Sequence, residues 1–168
     1  MTMNPQRVLF VCLGNICRSP QAEGIFAQLV AQAGLSQWIS CDSAGTSDYH
    51  IDELPDPRTR DVSLRNGLTL QHRSRQVQAA DLDDFDWVIA MDQSNLAALQ
   101  RLAGGQRRRL SRIHLLRSFD PQSPDLDVPD PWAGGAGGFD RVYAICLHGC
   151  LGLLPQVAAR VRAAPKPT

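Results

Sequence analysis

The sequence predicts a single-domain α/β protein, a three-layer sandwich in which a four-stranded parallel sheet is flanked by helices on both faces. Three observations predict it. The chain has 168 residues, which is about the size of one domain. Four short apolar runs, at residues 7–12, 38–44, 87–91 and 112–116, lack polar alternation, as is typical of strands buried on both faces. Helical patterns separate these runs, and strand–helix alternation favours a parallel sheet.

The first predicted helix follows the first strand. Between residues 19 and 33 the apolar side chains recur at the spacing of one helical face. Ser19 followed by Pro20 is typical of a helix N-cap and first helical position, and Gly34 is typical of a helix end. The first βα connection is therefore expected to be a short loop that ends at Ser19.

Three further helices are predicted from their end signals. Asp56 caps the second helix, which closes at Gly67, and Asp92 caps the third. The last begins near Phe139, and Pro155 is expected to end or kink it. One domain is expected over residues 1–168, with its core at about 6–160 between short polar termini.

Composition excludes several classes of function. The 17 basic and 17 acidic side chains cancel, so neither nucleic acid nor an anionic membrane is an expected partner. No apolar run approaches the ~20 residues of a membrane span, and the polar N-terminus does not predict a signal peptide. The one lysine, Lys166, lies in the tail, which excludes a Schiff-base or phosphate-loop lysine. Five cysteines, an odd number, indicate reduced thiols and a cytoplasmic location.

The loop after the first strand has the composition of an anion-binding site. It begins at Cys12, and its amides and the following helix dipole are expected to bind an anion. Gly14 and Asn15 tolerate a left-handed backbone, and Arg18 offers a planar fork for two phosphate oxygens. In this field Cys12 is expected to be a thiolate, to which the Ser19 hydroxyl can donate. A lone strand-end cysteine is usually a core residue, but these residue types at these offsets favour a nucleophile.

This loop, C-L-G-N-I-C-R-S-P, resembles the C-x5-R-S signature of the low-molecular-weight protein tyrosine phosphatases. The resemblance continues in S-A-G-T at 43–46, D-P-R at 56–58, M-D-Q-S-N at 91–95 and D-P-W at 130–132. It implies an enzyme that hydrolyses aryl phosphate monoesters on tyrosine-phosphorylated proteins through a phosphocysteine, without a metal or other cofactor.

The resemblance also implies roles for individual residues. The residues alone favour Asp130 as the general acid only in part. Pro131 forces it into an extended conformation, and Trp132 offers an aromatic wall beside it. Three other aspartates, however, lie in the same loop. The family places its general acid in a matching Asp-Pro-aromatic motif. The implied catalytic residues are Cys12, Arg18 and Asp130. The implied phosphate-binding loop adds Leu13, Gly14, Asn15, Ile16, Cys17 and Ser19.

Outside the loop, Tyr49 and Trp132 are implied to line the substrate cleft, and Ser43, His72 and Asp92 to support the site. Without the resemblance, His72 would be taken as a surface residue. Many relatives carry a second aromatic where this chain has Ala133, which puts substrate preference in doubt.

Cys17 is implied to trap oxidised Cys12 as a disulfide, in line with the protection that a nearby thiol gives a sulfenic acid. Cys146, His148 and Cys150 do not predict a metal site, because on a helix His148 points away from both cysteines. A monomer is expected, with a weak dimer as an alternative. The arginines between 101 and 112 are expected to be a solvated surface, and a docking patch for an acidic partner is the alternative.

Three other functions stay open at this point. The first is a phosphoarginine phosphatase of the same fold; family resemblance indicates that Thr at the position of Ile16 favours that substrate, so Ile16 favours phosphotyrosine. The second is an arsenate reductase, which would need two more reactive cysteines in the middle of the chain. The third is a non-catalytic phosphate-binding module, which the presence of Cys12, Arg18 and Asp130 together disfavours.

Overall fold

The central sheet confirms the predicted fold. In the computed structural model, which describes residues 2–163 apart from the side chains of Ala133 and Ala136, four parallel strands form one sheet in the order β2-β1-β3-β4. The strands are β1 Gln6–Cys12, β2 Ile39–Gly45, β3 Trp87–Ala90 and β4 Ile113–Leu115. All four lie within a residue or so of the predicted apolar runs.

Helices cover both faces of the sheet. They are α1 Arg18–Gln32, α2 Pro57–Arg65, α3 Asp81–Asp84, α4 Gln93–Ala103, α5 Arg107–Leu110 and α6 Gly138–Arg162. One buried cluster joins the sheet to α1 and α6, and the other joins it to α3 and α4. The short helices α3 and α5 were not predicted, because four residues are too few to show a helical period.

The strand β1 is the centre of the core. Its residues Val8, Leu9, Phe10 and Val11 have no solvent exposure. Val8 and Phe10 face the α1 and α6 layer, whereas Leu9 and Val11 face the α3 and α4 layer. Each such side chain contributes about 1.5–3 kcal/mol by burial. The end of β1 is consequently a rigid platform for the loop that follows.

Two of the three predicted caps are confirmed. Asp56 accepts a hydrogen bond from the backbone of Arg58, and Asp92 forms a reciprocal capping box with Asn95. The prediction that Ser19 caps α1 is wrong. The helix begins at Arg18, its N-cap position is Cys17, and no side chain caps it. The hydroxyl of Ser19 is instead turned toward the end of β1.

Pro155 does not end the last helix, which continues through it to Arg162. Pro155 lacks the N–H that would bond to the carbonyl of Leu151, but Leu153 and Val157 on either side of it are fully buried in the core and keep the helix in place. Within residues 2–163, α6 is the one helix long and apolar enough to cross a membrane by length and composition alone, contrary to the expectation that no run approaches that length. Its buried face, with Cys146 and Cys150, packs into the α1 layer of the core.

Candidate active site

The predicted site residues from three segments meet at the carboxyl ends of the strands. Cys12 ends β1, Ser43 lies near the end of β2, and Asp92 follows β3. The strand order reverses direction around β1, and ligands of open α/β sheets bind at such a switch point. The topology therefore brings the loop after β1 to the place where a ligand site is expected.

The sulfur of Cys12 is surrounded by hydrogen-bond donors. The backbone N–H of Asn15 donates to Cys12 Sγ at 3.3 Å, and Ser19 Oγ lies 2.9 Å from the same sulfur. Ser19 Oγ accepts a hydrogen bond from Asn15 Nδ2 at 2.8 Å, and its own hydrogen can point to Cys12 Sγ or to the more distant carbonyl of Ala44, at 3.4 Å. Both groups are placed to stabilise negative charge at the sulfur.

The side chain of Asn15 fixes the shape of the loop through hydrogen bonds to several other segments. Its φ of 56° is left-handed, as predicted, and its side chain is buried. Nδ2 donates to Ser19 and to Ser43 Oγ at 3.0 Å, while Oδ1 lies 2.8 Å from His72 Nε2. The supporting positions expected of Ser43 and His72 thus coincide with direct hydrogen bonds to the loop.

Two glycines near the loop have different roles. Of the two residues that tolerate a left-handed backbone, Asn15 adopts it and Gly14 does not. Gly45, at the end of β2, is the glycine that the site requires. A Cβ on Gly45 would lie 2.7 Å from the carbonyl oxygen of Leu13, so any side chain there would push the loop away from the sheet.

Arg18 is a buried cation that faces the same cavity as Cys12. Its Nη1 donates to Asp92 Oδ2 at 2.6 Å and to the carbonyl of Val128 at 2.9 Å. Burial opposes the charge, but Cys12 and Asp92 raise the pKa of the Arg18 guanidinium above its ordinary value. Within the described residues these hydrogen bonds use Nη1 alone, which leaves Nε and Nη2 to bind two oxygens of an anion. Asp92 therefore both caps α4 and orients Arg18.

A cavity of about 110 Å³ lies above Cys12. Between residues 2 and 163 we find no acceptor for the backbone N–H groups of Gly14, Ile16 and Cys17, so these amides are available to an anion. The walls of the cavity come from the loop and from two other segments. They comprise Cys12, Leu13, Gly14, Ile16, Cys17, Arg18, Tyr49, His50, Asp130, Pro131 and Trp132.

Asp130 lies on the wall opposite the loop. Its Oδ1 accepts a hydrogen bond from the backbone of Trp132 at 3.0 Å, which closes a short 3₁₀ turn at Pro131–Ala133. Trp132 and Tyr49, the predicted cleft aromatics, are 62% and 72% exposed and border the mouth of the cavity. The prediction that Ala133 alters substrate preference concerns a side chain that lies outside the part of the protein described by the structure.

Comparisons with known proteins identify the family of this chain. The sequence model of the low molecular weight phosphotyrosine protein phosphatases matches residues 7–163. The chain belongs to this phosphatase family. A low molecular weight protein-tyrosine-phosphatase of Streptomyces coelicolor is 45% identical over 157 residues, which cover 92% of this chain and 95% of the relative.

Solved structures of similar proteins show the same fold. YfkJ from Bacillus subtilis superposes with a TM-score of 0.88 at 41% identity, covering 93% of this phosphatase family member and 96% of that chain. A Drosophila arginine phosphatase superposes with a TM-score of 0.83 at 36% identity, covering 89% and 96% of the two chains. The family assignment made from the motifs is therefore confirmed.

Sequence reasoning missed two side chains of the site in this phosphatase family member. Arg58 lies over the rings of Trp132 and Phe139, with Cζ 4.1 and 4.5 Å from the ring centroids, and it is also paired with Asp56. His50 lines the cavity and is bonded through Nδ1 to Glu53 at 2.8 Å. The D-P-R motif at 56–58 marked Arg58 as a family feature, but nothing in the sequence showed what it contacts.

Cys17 is a different thiol from Cys12. It is buried at the start of α1 and lines the same cavity. Burial raises the pKa of the Cys17 thiol to about 11, so it stays protonated at neutral pH. Cys41 is partly buried against the core, and burial raises the pKa of its thiol to about 12.

Proposed function

We propose that this protein hydrolyses phosphotyrosine in protein substrates through a phosphocysteine on Cys12. The observation that carries the proposal is the cavity itself. It joins a sulfur that lies beside two hydrogen-bond donors, a buried guanidinium and a set of free loop amides to one carboxyl group, that of Asp130, in the same cavity wall. This arrangement matches the needs of nucleophilic attack on a phosphate monoester.

The first step transfers the phosphoryl group to sulfur. The loop amides and the Arg18 fork bind the three non-bridging oxygens, and the Cys12 thiolate attacks phosphorus from the side opposite the leaving oxygen. Positive charge at these oxygens stabilises a loose transition state. Asp130 gives its proton to the phenolic oxygen as the P–O bond breaks.

The second step returns the enzyme to its starting state. Asp130, now ionised, takes a proton from water while the water oxygen attacks the phosphorus of the phosphocysteine. The P–S bond breaks, which regenerates the Cys12 thiolate and releases inorganic phosphate. The N–H of Asn15 and the O–H of Ser19 stabilise the sulfur anion as it departs.

The experiment for this proposal compares the rate of phosphotyrosine-peptide hydrolysis by the unaltered protein and by Cys12→Ser. We expect the substitution to abolish turnover while peptide binding persists. A matched control is Cys41→Ser, which replaces a thiol outside the cavity and is expected to retain activity. Turnover by Cys12→Ser at the rate of the control would refute the mechanism.

A phosphoarginine phosphatase is the second candidate, because the Drosophila arginine phosphatase shares 36% identity with this chain. Ile16 forms part of the cavity wall, and its bulk supports an aryl substrate. We expect kcat/KM for a phosphotyrosine peptide to exceed that for a phosphoarginine peptide, and Ile16→Thr to shift the ratio toward phosphoarginine. A ratio that already favours phosphoarginine in the unaltered protein would select the second candidate.

We also propose that the enzyme is redox-sensitive. Peroxide would oxidise the Cys12 thiolate to a sulfenic acid, and the Cys17 thiol would then condense with it, forming a disulfide and releasing water. We expect peroxide to inactivate the enzyme and dithiothreitol to restore it, with much poorer recovery in Cys17→Ser. Equal recovery of both proteins would refute the trap.

The five cysteines are all free thiols in the structure, which supports a reducing compartment such as the cytoplasm as the proposed location. A tyrosine-phosphorylated protein is the proposed partner, and a monomer the proposed state. Sedimentation of the purified protein tests the proposed monomer, and fractionation of the source cells tests the proposed location.

A further inference from the structure

The cavity above Cys12 contains a histidine that the proposed phosphatase reaction does not use. His50 directly follows the cleft residue Tyr49, and its imidazole forms part of the cavity wall. Its Nδ1 lies 2.8 Å from Oε2 of Glu53, and the two side chains are 37% and 56% exposed. A pair as exposed as this contributes little to folding stability, so its place at the cavity points to a role in substrate binding.

A tight turn of the backbone places these two side chains next to each other. The N–H of Glu53 donates to the carbonyl of His50 at 3.1 Å, which closes a turn over residues 50–53. Asp52, at the third position, has a left-handed φ of 64°, a conformation that aspartate adopts more readily than most residues. The sequence of the turn therefore sets the pairing of Nδ1 with Glu53.

Hydrogen bonds to a neighbouring segment fix this turn. Ser74 donates through its hydroxyl to the carbonyl of His50 and through its N–H to the carbonyl of Glu53, the latter at 2.9 Å. The N–H of Asp52 donates to the carbonyl of Ser74, and Nη1 of Arg73 donates to the carbonyl of Asp52, each at 2.8 Å. The backbone of His50 is thus held in place before a substrate arrives, which lowers the entropic cost of a contact with its side chain.

Another edge of the imidazole faces the loop after β1. A Cβ on Gly14 would lie 3.1 Å from Cδ2 of His50 and 3.8 Å from its Nε2. Because glycine has no side chain, the ring can lie this close to the loop whose amides are available to an anion. Nε2 of His50 is therefore beside the phosphate-binding loop, while Nδ1 is bonded to Glu53.

The contact with Glu53 determines what Nε2 of His50 offers to a bound molecule. An ionised carboxylate only accepts hydrogen bonds, so the hydrogen of the neutral imidazole is on Nδ1 and Nε2 presents a lone pair. Among the residues that the structure describes, none donates to this nitrogen. The other charged side chains of the cavity, those of Cys12, Arg18 and Asp130, are used by the phosphate and the leaving oxygen. Nε2 is available to the rest of the substrate.

A phosphotyrosine peptide carries a hydrogen-bond donor that small aryl phosphates lack. The oxygens of its phosphate ester accept hydrogen bonds, whereas each main-chain N–H near the mouth of the cavity is a donor. We propose that Nε2 of His50 accepts a hydrogen bond from a main-chain N–H next to the phosphotyrosine, which makes His50 a residue that favours peptides over small aryl phosphates. A site that bonds to an N–H discriminates against substrates that lack it. This inference rests on the proposed hydrolysis of phosphotyrosine and adds the part of the substrate that is recognised.

The first test compares the KM of a phosphotyrosine peptide with that of p-nitrophenyl phosphate, at pH 8 so that the neutral imidazole is favoured. In His50→Phe, which keeps a ring but has no Nε2, we expect the ratio of the peptide KM to the p-nitrophenyl phosphate KM to rise about three- to tenfold. In His50→Gln, whose amide oxygen can accept in place of Nε2, we expect a rise of less than about twofold. The control is His148→Phe, which replaces an exposed histidine of α6 outside this cavity and should leave the ratio unchanged.

The second test changes the substrate instead of the protein. Peptides N-methylated in turn at the phosphotyrosine and at the residue on either side of it each lack one main-chain N–H. We expect one of these peptides to have a KM about three- to tenfold higher with the unaltered protein, and the same methyl group to have little effect on the KM with His50→Phe. Such coupling identifies the N–H that His50 accepts, and a general loss of folding in the variant would not produce it.

Three results would overturn the inference. They are a KM ratio in His50→Phe within about twofold of that of the unaltered protein, a ratio that rises equally in His50→Gln and His50→Phe, and effects of N-methylation that are the same with and without His50. Failure of the proposed function would be seen separately, because the unaltered protein would then hydrolyse neither substrate.

Discussion

The two walls of the cavity are held in very different ways. The nucleophile loop, residues 12–18, is fixed from several sides: the carbonyls of Cys12, Leu13 and Ile16 accept backbone hydrogen bonds from residues 46, 47 and 56, and Asn15 is bonded through every polar atom of its side chain. The acid loop, residues 128–132, is fixed at its start by two hydrogen bonds of Val128, whose N–H donates to the carbonyl of Met91 and whose carbonyl accepts from Arg18. Beyond Val128 it is held by the turn at Asp130 and the stacking of Arg58 on Trp132.

This difference separates chemistry from substrate choice. A rigid loop keeps sulfur, amides and guanidinium preorganised for charge that develops at phosphorus, which is the largest contribution to such catalysis. The acid loop carries an exposed aromatic that must accommodate a substrate. We therefore expect substitutions in the first wall to remove the reaction and those in the second to change its rate or its substrate preference.

The largest effect is expected for Arg18→Lys. Lysine keeps the charge but loses the planar fork that bonds to Asp92, Val128 and two phosphate oxygens together. We expect kcat/KM for p-nitrophenyl phosphate to fall by roughly 10³–10⁵, the range found for other arginines that stabilise phosphoryl transfer. Arg65→Lys, an exposed arginine on α2, is the control and should match the unaltered enzyme. A loss below tenfold would show that the fork is dispensable.

A smaller effect is expected for Asp130→Asn. Asparagine retains the turn, because its Oδ1 can still accept from Trp132, but it cannot donate the proton of an acid. We expect kcat to fall by about 10²–10⁴ on phenyl phosphate and much less on substrates whose leaving group needs no proton. Asp125→Asn, in the same connection, serves as the control. The same loss on all leaving groups would assign the acid elsewhere.

The smallest effect is expected for Arg58→Ala. Stacking of an exposed guanidinium on an aromatic ring contributes about 0.5–1 kcal/mol, so KM for aryl phosphates should rise about two- to fivefold as Trp132 loses its support. The helix cap at Asp56 survives, because it also uses the backbone N–H of residue 58. Arg65→Ala on the same helix is the control. If kcat falls and KM does not change, Arg58 acts on the chemistry and the comparison of the two walls must be revised.

The elements predicted correctly are those that are specified by residues close together in the sequence. The four strands are continuous apolar runs, and the caps at Asp56 and Asp92 bond to residues two or three positions away. Ser19 carries the same local signal but has a different role, because its hydroxyl accepts from Asn15 and lies against the Cys12 sulfur and is therefore not used as a cap. Pro155 removes one hydrogen bond of the last helix, but the buried residues Leu153 and Val157 on either side of it pack into the core, and this packing is set by the tertiary structure.

The same distinction applies to the site. The loop from Cys12 to Ser19 could be found from the sequence because its chemistry lies within eight residues. Contacts between residues far apart in the chain could not be found from the sequence. Arg58 stacks on Trp132, Arg18 donates to the carbonyl of Val128, and His72 is hydrogen-bonded to Asn15. His72 was placed near the site by resemblance alone, and its neighbours Glu23 and Asp42 carried no signal, since each is an ordinary polar residue on its own element.

The central claim is that Cys12 carries the phosphoryl group between the two steps. Acid quenching of the enzyme within milliseconds of mixing with an aryl phosphate, followed by mass spectrometry of the peptides, tests this directly. We expect one added phosphoryl group on the peptide that contains Cys12, increased in amount in Asp130→Asn and absent from Cys12→Ser. A phosphoryl group on another residue, or rapid turnover with no phosphoenzyme at any time, would contradict the account.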